Sequence, residues 1–137
     1  MSPPNAKRLL TENGLASFMN DTKWRELCSA IDELPFPPAY QQKLLGMNLP
    51  EEDSSDYMRS WWGDWGRTPE FILGIHIEWI KILPRYRKSI GLLLEPIVID
   101  CTDELRALLQ RLRLPFVEKD GFFTVYGHAS GVEFDNL

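Results

Sequence analysis

The sequence predicts a single α+β domain, in which a mostly antiparallel sheet of about four to five strands carries two helices on one face. Three observations lead to this class: a long run with apolar residues at alternate positions, two segments with apolar residues at helical spacing, and an Asp-Gly turn between two apolar runs. A length of 137 residues suits one domain. Packing both helices on one face is the simplest way to bury both apolar stripes.

The first helix is predicted to begin at a cap formed by Asp21 or Thr22. Its apolar positions fall at helical spacing: Trp24, Leu27, Cys28, Ile31 and Leu34. Three prolines within residues 35–38 end it, because proline cannot continue a helix. Residues 40–45 are then predicted to form a short edge strand.

The run 71–83 predicts a long strand, which Pro84 ends. One set of alternate positions is apolar: Phe71, Leu73, Ile75, Ile77 and Trp79. The other set starts mixed and turns apolar: Ile72, Gly74, His76, Glu78, Ile80 and Ile82. We therefore expect one face to lie in the core throughout, and the other face to pass from a polar patch into a second buried region.

A second helix is predicted to follow a strand at 92–99, in which Pro96 indicates an edge or a bulge. Thr102 is the expected cap of this helix. Four leucines make its apolar stripe: Leu105, Leu108, Leu109 and Leu112. The Asp120-Gly121 pair then predicts a tight hairpin turn, because both residues accept positive φ.

The predicted organisation has three parts: a flexible N-terminal extension (1–18), the α+β domain (19–128) and a C-terminal tail (129–137). Fifteen basic and twenty acidic side chains give a formal charge of −5, which argues against non-specific binding to nucleic acid or membrane. Cys28 and Cys101 lack metal-ligand spacing, and neither a signal peptide nor a membrane span is indicated. We expect free thiols, a cytoplasmic protein and no metal or cofactor.

A segment rich in acidic and aromatic residues has the composition of a protein-binding surface. Carboxylates steer a basic partner, and aromatic side chains supply buried contact area. Tryptophans near glycines also often fix a loop onto a core, so one or more of them can be structural. The predicted partner-binding residues are Glu51, Glu52, Asp53, Asp56, Tyr57, Trp61, Trp62, Asp64 and Trp65.

Two other functions stay open. His76 and Glu78 would share one face of the long strand as an acid/base pair, and Cys101 would precede a helix whose dipole favours a thiolate. Neighbouring carboxylates oppose that thiolate, so no residue is assigned as catalytic. Lys81 and the basic segment 85–88 (Arg85, Tyr86, Arg87 and Lys88), predicted as a turn, have the character of a nucleic-acid contact.

Several short segments together resemble a known family. They are Thr22–Leu27, Leu34–Tyr40, Trp62–Trp65, Ile77–Trp79 with Pro84–Tyr86, Ile99–Cys101 and Tyr126-Gly127. This pattern resembles a family of small bacterial proteins known only as a domain of unknown function, over about residues 20–128. The resemblance brings no activity or catalytic residue, and implies a bacterial cytoplasmic protein.

The leading hypothesis is a non-enzymatic protein-binding domain, namely an immunity protein that neutralises a cognate toxin by occluding its active site. Many bacterial toxins attack nucleic acid through basic clefts, and an acidic surface can occupy such a cleft. The sequence leaves the oligomeric state open.

Overall fold

The structure is a computed structural model that describes residues 6–46, 65 and 74–135. Its helices within these residues are α1 (Ala6–Glu12), α2 (Asp21–Ala30) and α3 (Thr102–Arg111), with short 3-10 helices η1 (Ile31–Glu33) and η2 (Gly74–His76). Its strands are β1 (Ala16–Ser17), β2 (Ala39–Leu44), β3 (Ile77–Leu83), β4 (Arg85–Lys88), β5 (Ile97–Asp100), β6 (Phe116–Lys119), β7 (Phe122–Tyr126) and β8 (His128–Ala129).

Antiparallel pairing joins these strands into one main sheet and two ribbons. The main sheet has the order β2-β3-β7-β6, while β1 pairs with β8 and β4 pairs with β5. The predicted α+β class is confirmed, and β2 is the edge strand expected at 40–45. The helix count differs from the two predicted, because α1 is an additional helix near the N-terminus.

The two longer helices contribute to one core with one face of the main sheet. Trp24 and Leu27 of α2 are buried, as their spacing predicts. Burying a side chain of this size stabilises the fold by about 1.5–3 kcal/mol. The other main members of the core come from α3, β3, β6 and β7: Leu105, Leu108, Leu109, Ile77, Ile80, Ile82, Phe116, Phe123 and Val125.

The helix caps differ from those predicted. In α2 the cap is Asn20, whose Oδ1 accepts a hydrogen bond of 2.8 Å from the backbone N of Lys23. In α3, Thr102 is the first helical residue, and its backbone N donates to Asp100 Oδ1 at 2.8 Å. An Asx side chain just before the helix thus satisfies a backbone donor at each N-terminus.

A β-bulge in β3 decides which side chains reach each face of the main sheet. Lys43 of β2 lies opposite Trp79, and the next residue, Leu44, lies opposite Ile77. Glu78 is therefore the extra residue, and such a residue reverses the alternation on either side of it. Ile77 faces the helices, whereas Trp79 lines the other face. The prediction that these two share a face is wrong for this reason.

The other strand predictions are confirmed in part. Positive φ angles of 54° at Asp120 and 83° at Gly121 confirm the predicted tight hairpin between β6 and β7. The segment 85–88 is strand β4 rather than a turn, because it pairs along its whole length with β5. That partner strand begins only after Pro96, which lacks the N–H a ladder needs.

The two ends of the described chain are hydrogen-bonded to the domain. Besides the β1–β8 pairing, Phe18 N donates to Gly127 O at 2.8 Å. The Asp135 carboxylate accepts a 2.6 Å hydrogen bond from Glu118 N. Residues of both predicted outer segments, 1–18 and 129–137, thus contact the domain between them.

A bidentate ion pair connects α3 to β6. Arg106 Nε and Nη2 each donate to the Glu118 carboxylate at 2.7 Å. These hydrogen bonds lower the pKa of Glu118 and outweigh the partial desolvation that acts in the opposite direction. Because the folded-state pKa lies below the unfolded one, this stabilisation is present at neutral pH and is lost as the pH falls through the folded-state value.

Glu118→Gln is expected to lower the free energy of unfolding at neutral pH by up to about 1 kcal/mol, since the pair is partly exposed. Urea unfolding at several pH values should show the difference from the parent chain shrinking towards acid pH. Glu12→Gln is the control, because Glu12 pairs with Arg8 on an exposed helix surface. A Glu118→Gln effect that does not change with pH would contradict the pKa argument.

Gly127→Ala is expected to destabilise the domain by about 1–3 kcal/mol, the usual cost of overpacking. A Cβ at Gly127 would lie 2.3 Å from the Ile77 carbonyl oxygen and 3.0 Å from the Trp24 ring. Gly91→Ala is the control, because its Cβ would approach only the flexible Leu94 side chain, at 3.3 Å. Thermal unfolding of both variants tests this, and equal midpoints would show that the backbone at Gly127 is not packed this closely on Ile77 and Trp24.

Candidate functional site

The face of the main sheet that is turned away from α2 and α3 carries a cleft of about 380 Å³. This volume lies within the range of small-molecule pockets, about 300–1,000 Å³. Side chains of β2, β3 and β7 meet there with residues from both ends of the described chain. The lining residues are Leu15, Gln41, Glu78, Trp79, Lys81, Thr124, Tyr126, His128, Ala129, Ser130 and Val132.

The bulge residue Glu78 forms an ion pair within this region. Lys43 Nζ donates to Glu78 Oε2, and the two side chains are only 20% and 17% exposed. Each charge thus has an opposite charge in direct contact, and the pair links β2 to the bulge of β3. This arrangement holds the edge strand in register rather than presenting an isolated carboxylate to the cleft.

A serine and a histidine are hydrogen-bonded across the β1–β8 ribbon. His128 is only 2% exposed, its Nε2 lies 2.7 Å from the Ile75 carbonyl oxygen, and its Nδ1 lies 2.8 Å from Ser17 Oγ. Since a carbonyl only accepts, Nε2 is the donor to Ile75, and in the neutral imidazole Nδ1 then accepts from the Ser17 hydroxyl. Ser17 is not part of the cleft lining, so this chain of hydrogen bonds joins β1, β8 and η2 as a structural clamp.

The two residues of the predicted acid/base pair belong to different local elements. His76 ends the 3-10 helix η2, and its carbonyl oxygen accepts a 2.8 Å hydrogen bond from Leu45 N. Glu78 sits two residues further on, in the bulge, where it contacts Lys43. The two side chains therefore do not follow the regular strand alternation from which their pairing was predicted.

Cys101 is fully buried between β5 and α3, at the N-cap position of that helix. Burial raises the pKa of its thiol to about 12, and the negative charges of Glu104 and Asp100 act in the same direction. These effects exceed the opposite influence of the helix dipole. Cys101 is thus a protonated core residue at neutral pH. Cys28, which likewise forms no disulfide, is partly buried and packs against the core.

The cations proposed for nucleic-acid contact lie in two different places in the structure. Lys81 Nζ lies 4.5 Å from the centroid of the Phe122 ring, and the guanidinium carbon of Arg85 lies 5.5 Å from it. Arg85 Nη1 also donates to Gly121 O at 2.7 Å. These two cations are held against β7, whereas Arg87 and Lys88 lie further along β4 and are exposed.

Of the nine predicted partner-binding residues, the structure describes one. Trp65 is 5% exposed, its Nε1 donates to the Pro38 carbonyl oxygen at 2.7 Å, and its ring lies 4.4 Å from that of Tyr40. Its indole therefore packs in the core, beside the edge strand β2. The other eight lie outside the described residues: Glu51, Glu52, Asp53, Asp56, Tyr57, Trp61, Trp62 and Asp64.

Sequence reasoning missed the cleft because it did not foresee the bulge. With regular alternation in β3, Trp79 would face the helices and the polar side of the sheet would lack its aromatic wall. One signal was present: Thr124 and Tyr126 alternate with the core residues Phe123 and Val125 along β7. That alternation marks a second, less apolar face of the sheet.

A family model described as a family of unknown function, DUF6678, matches residues 6–131, and the chain belongs to this family. No curated protein and no solved structure gives a significant match. Helices in the described part of the chain are all too short or too polar to cross a membrane. Those same residues contain no group of three or more His, Cys, Asp and Glu side chains placed to hold a metal ion.

A thiol reagent should distinguish the two cysteines. In a Cys28→Ser variant, the remaining Cys101 is expected to react with a disulfide reagent only after denaturation, with no rise in native-state rate between neutral pH and pH ~9, the range in which an ordinary thiol ionises. Cys101→Ser is the matched variant and leaves the partly exposed Cys28 to react. Rapid labelling of native Cys101 near neutral pH would contradict its assignment as a buried, protonated thiol.

Proposed function

We propose that this member of a family without a characterised activity is a non-enzymatic protein-binding domain. In its specific form the proposal is an immunity protein that neutralises a cognate toxin in the bacterial cytoplasm by covering the toxin's active site. Inhibition by occlusion requires a rigid support and a complementary surface, and it requires no chemistry from the inhibitor. The protonated thiol of Cys101 and the ion-paired Glu78 agree with such a role.

The observation that carries the proposal is the anchoring of Trp65 on the edge strand. The described chain follows β2 as far as Gly46, and at residue 65 it is again beside β2, against Tyr40 and Pro38. Gly46 and Trp65, the described residues on either side of positions 47–64, thus both lie beside one edge strand of the main sheet. Binding residues are often found in segments that a rigid scaffold positions.

The composition of residues 47–64 supports a basic partner. Five carboxylates lie among them, Glu51, Glu52, Asp53, Asp56 and Asp64, together with three aromatic residues, Tyr57, Trp61 and Trp62. Carboxylates accelerate encounter with a basic active-site cleft, and aromatic side chains supply most of the binding energy in typical hot spots. We therefore assign the contact surface to these eight residues and give Trp65 the role of anchor.

The test is neutralisation of a toxin encoded beside this gene. Co-expression of the chain should restore growth of a bacterial host that produces the neighbouring protein, and the two purified proteins should form a complex that blocks the toxin's activity. The double substitution Trp62→Ala with Asp64→Arg should weaken this complex by about 100-fold or more, because each hot-spot residue contributes about 2 kcal/mol or more.

Asp32→Arg is the matched control, because it makes the same charge change on the exposed 3-10 helix η1. It should leave neutralisation unchanged. Circular dichroism and the unfolding midpoint establish that each variant is folded. A neighbouring protein that is not toxic, or a folded double variant that neutralises as well as the parent chain, would refute the proposal.

A further inference from the structure

The β4–β5 ribbon extends into an arm whose apolar side chains are uncovered. We define the arm as residues 85–100, with its tip at 91–94. Leu92 and Leu93 are 103% and 100% exposed, so no described part of the domain covers their side chains. Five more apolar side chains of the arm are exposed by 42–62%: Tyr86, Ile90, Leu94, Ile97 and Val98. Large apolar side chains exposed in this number typically mark an interaction site.

The two fully exposed leucines occupy the centre of a turn. Leu94 N donates to Gly91 O at 3.4 Å, which makes Leu92 and Leu93 the two central residues of a four-residue turn. Such positions usually hold proline, glycine, asparagine or aspartate, for reasons of backbone geometry and solvation. Leucine has no such advantage there, so its presence favours a contact made by the side chains.

A groove that suits these leucines lies at the base of the same arm. It is lined by Phe36, Pro37, Ala39, Arg85 and Tyr86, and has a volume of about 400 Å³. The rings of Phe36 and Tyr86 meet edge to face, with centroids 4.7 Å apart, and form its aromatic wall. The exposure of Leu92 and Leu93 shows that the tip does not fill the groove of its own chain.

We propose that the arm binds a second copy of this chain, with the tip of each arm seated in the base groove of the other. A tip and a groove on the same chain, unable to meet within it, are self-complementary. A two-fold axis would satisfy both contacts at once and close the assembly as a dimer. This inference is independent of the proposed function, because it involves different residues and a different partner.

The chemistry of the arm favours a second copy over other occupants. Its exposed apolar side chains are mostly aliphatic, as in permanent homodimer interfaces, whereas binding hot spots for other proteins are enriched in aromatic residues and arginine. A standard interface buries ~800 Å² on each partner, and the exposed apolar side chains of the arm would contribute to it. The strands of the arm carry three cations, Arg85, Arg87 and Lys88, against one carboxylate, Asp100, whereas the other carboxylate, Glu95, adjoins the tip; a tip seated at the base of another arm therefore meets charge of the opposite sign.

Light scattering coupled to gel filtration, with the purified chain alone, tests the dimer. The parent chain should give a mass twice its monomer mass of 15.9 kDa. At the same concentrations, the double variant Leu92→Asp with Leu93→Asp should give the monomer mass. Ile75→Asp is the matched control, because Ile75 is also an exposed apolar residue, at 38%, outside the arm. It should remain dimeric. A monomeric parent chain would overturn the proposal. If that monomer bound anionic vesicles, the arm would be a membrane contact instead.

A cysteine pair tests how the copies meet. In a Cys28→Ser background, a chain carrying both Leu93→Cys and Pro37→Cys should form a disulfide-linked dimer on mild oxidation, whereas Leu93→Cys alone should not. Cross-linking by Leu93→Cys alone would place tip against tip and overturn the assigned contact. Because these tests use no toxin, their outcome is separate from that of the neutralisation experiment.

Discussion

The central strand β3 is the constraint on which the other elements depend. It is hydrogen-bonded on both sides, to β2 and to β7, and its inward side chains contribute to the core beneath both longer helices. One extra residue, Glu78, divides it into two stretches of opposite phase. The bulge places Ile77 in the core and turns Trp79 to the other face, so a single backbone irregularity produces both the packed side and the cleft side of the sheet.

The parts of the fold that local sequence determines were predictable. The leucine stripe of α3 and the Asp120-Gly121 turn each depend on residues a few positions apart, and both are confirmed. Predictions failed where a distant partner decides the outcome. The basic segment 85–88 is a strand because β5 pairs with it, and no pattern within four residues reveals that pairing. The bulge likewise results from the register between β2 and β3.

The candidate site divides in the same way. The sequence alone argued against a reactive thiolate at Cys101, because carboxylates flank this residue. The negative charges of these carboxylates are one cause of its raised pKa. The larger cause, burial, requires the packed structure. The contact between Ser17 and His128 lies beyond sequence reasoning, because 111 residues separate them and only the β1–β8 pairing brings them together.

Trp65 is a buried large apolar side chain, whereas those of the arm are exposed. Trp65, predicted as a contact, is covered by Tyr40 and satisfied by a carbonyl oxygen, so it stabilises the edge of the main sheet. Leu92 and Leu93, predicted only as strand residues, are left in water at a turn that would be better solvated with polar residues. Leaving them exposed forgoes about 1.5–3 kcal/mol for each leucine that burial would supply. Contact with a second copy recovers that stabilisation. The arm, rather than the cleft, is therefore the surface whose apolar side chains a single chain leaves unburied.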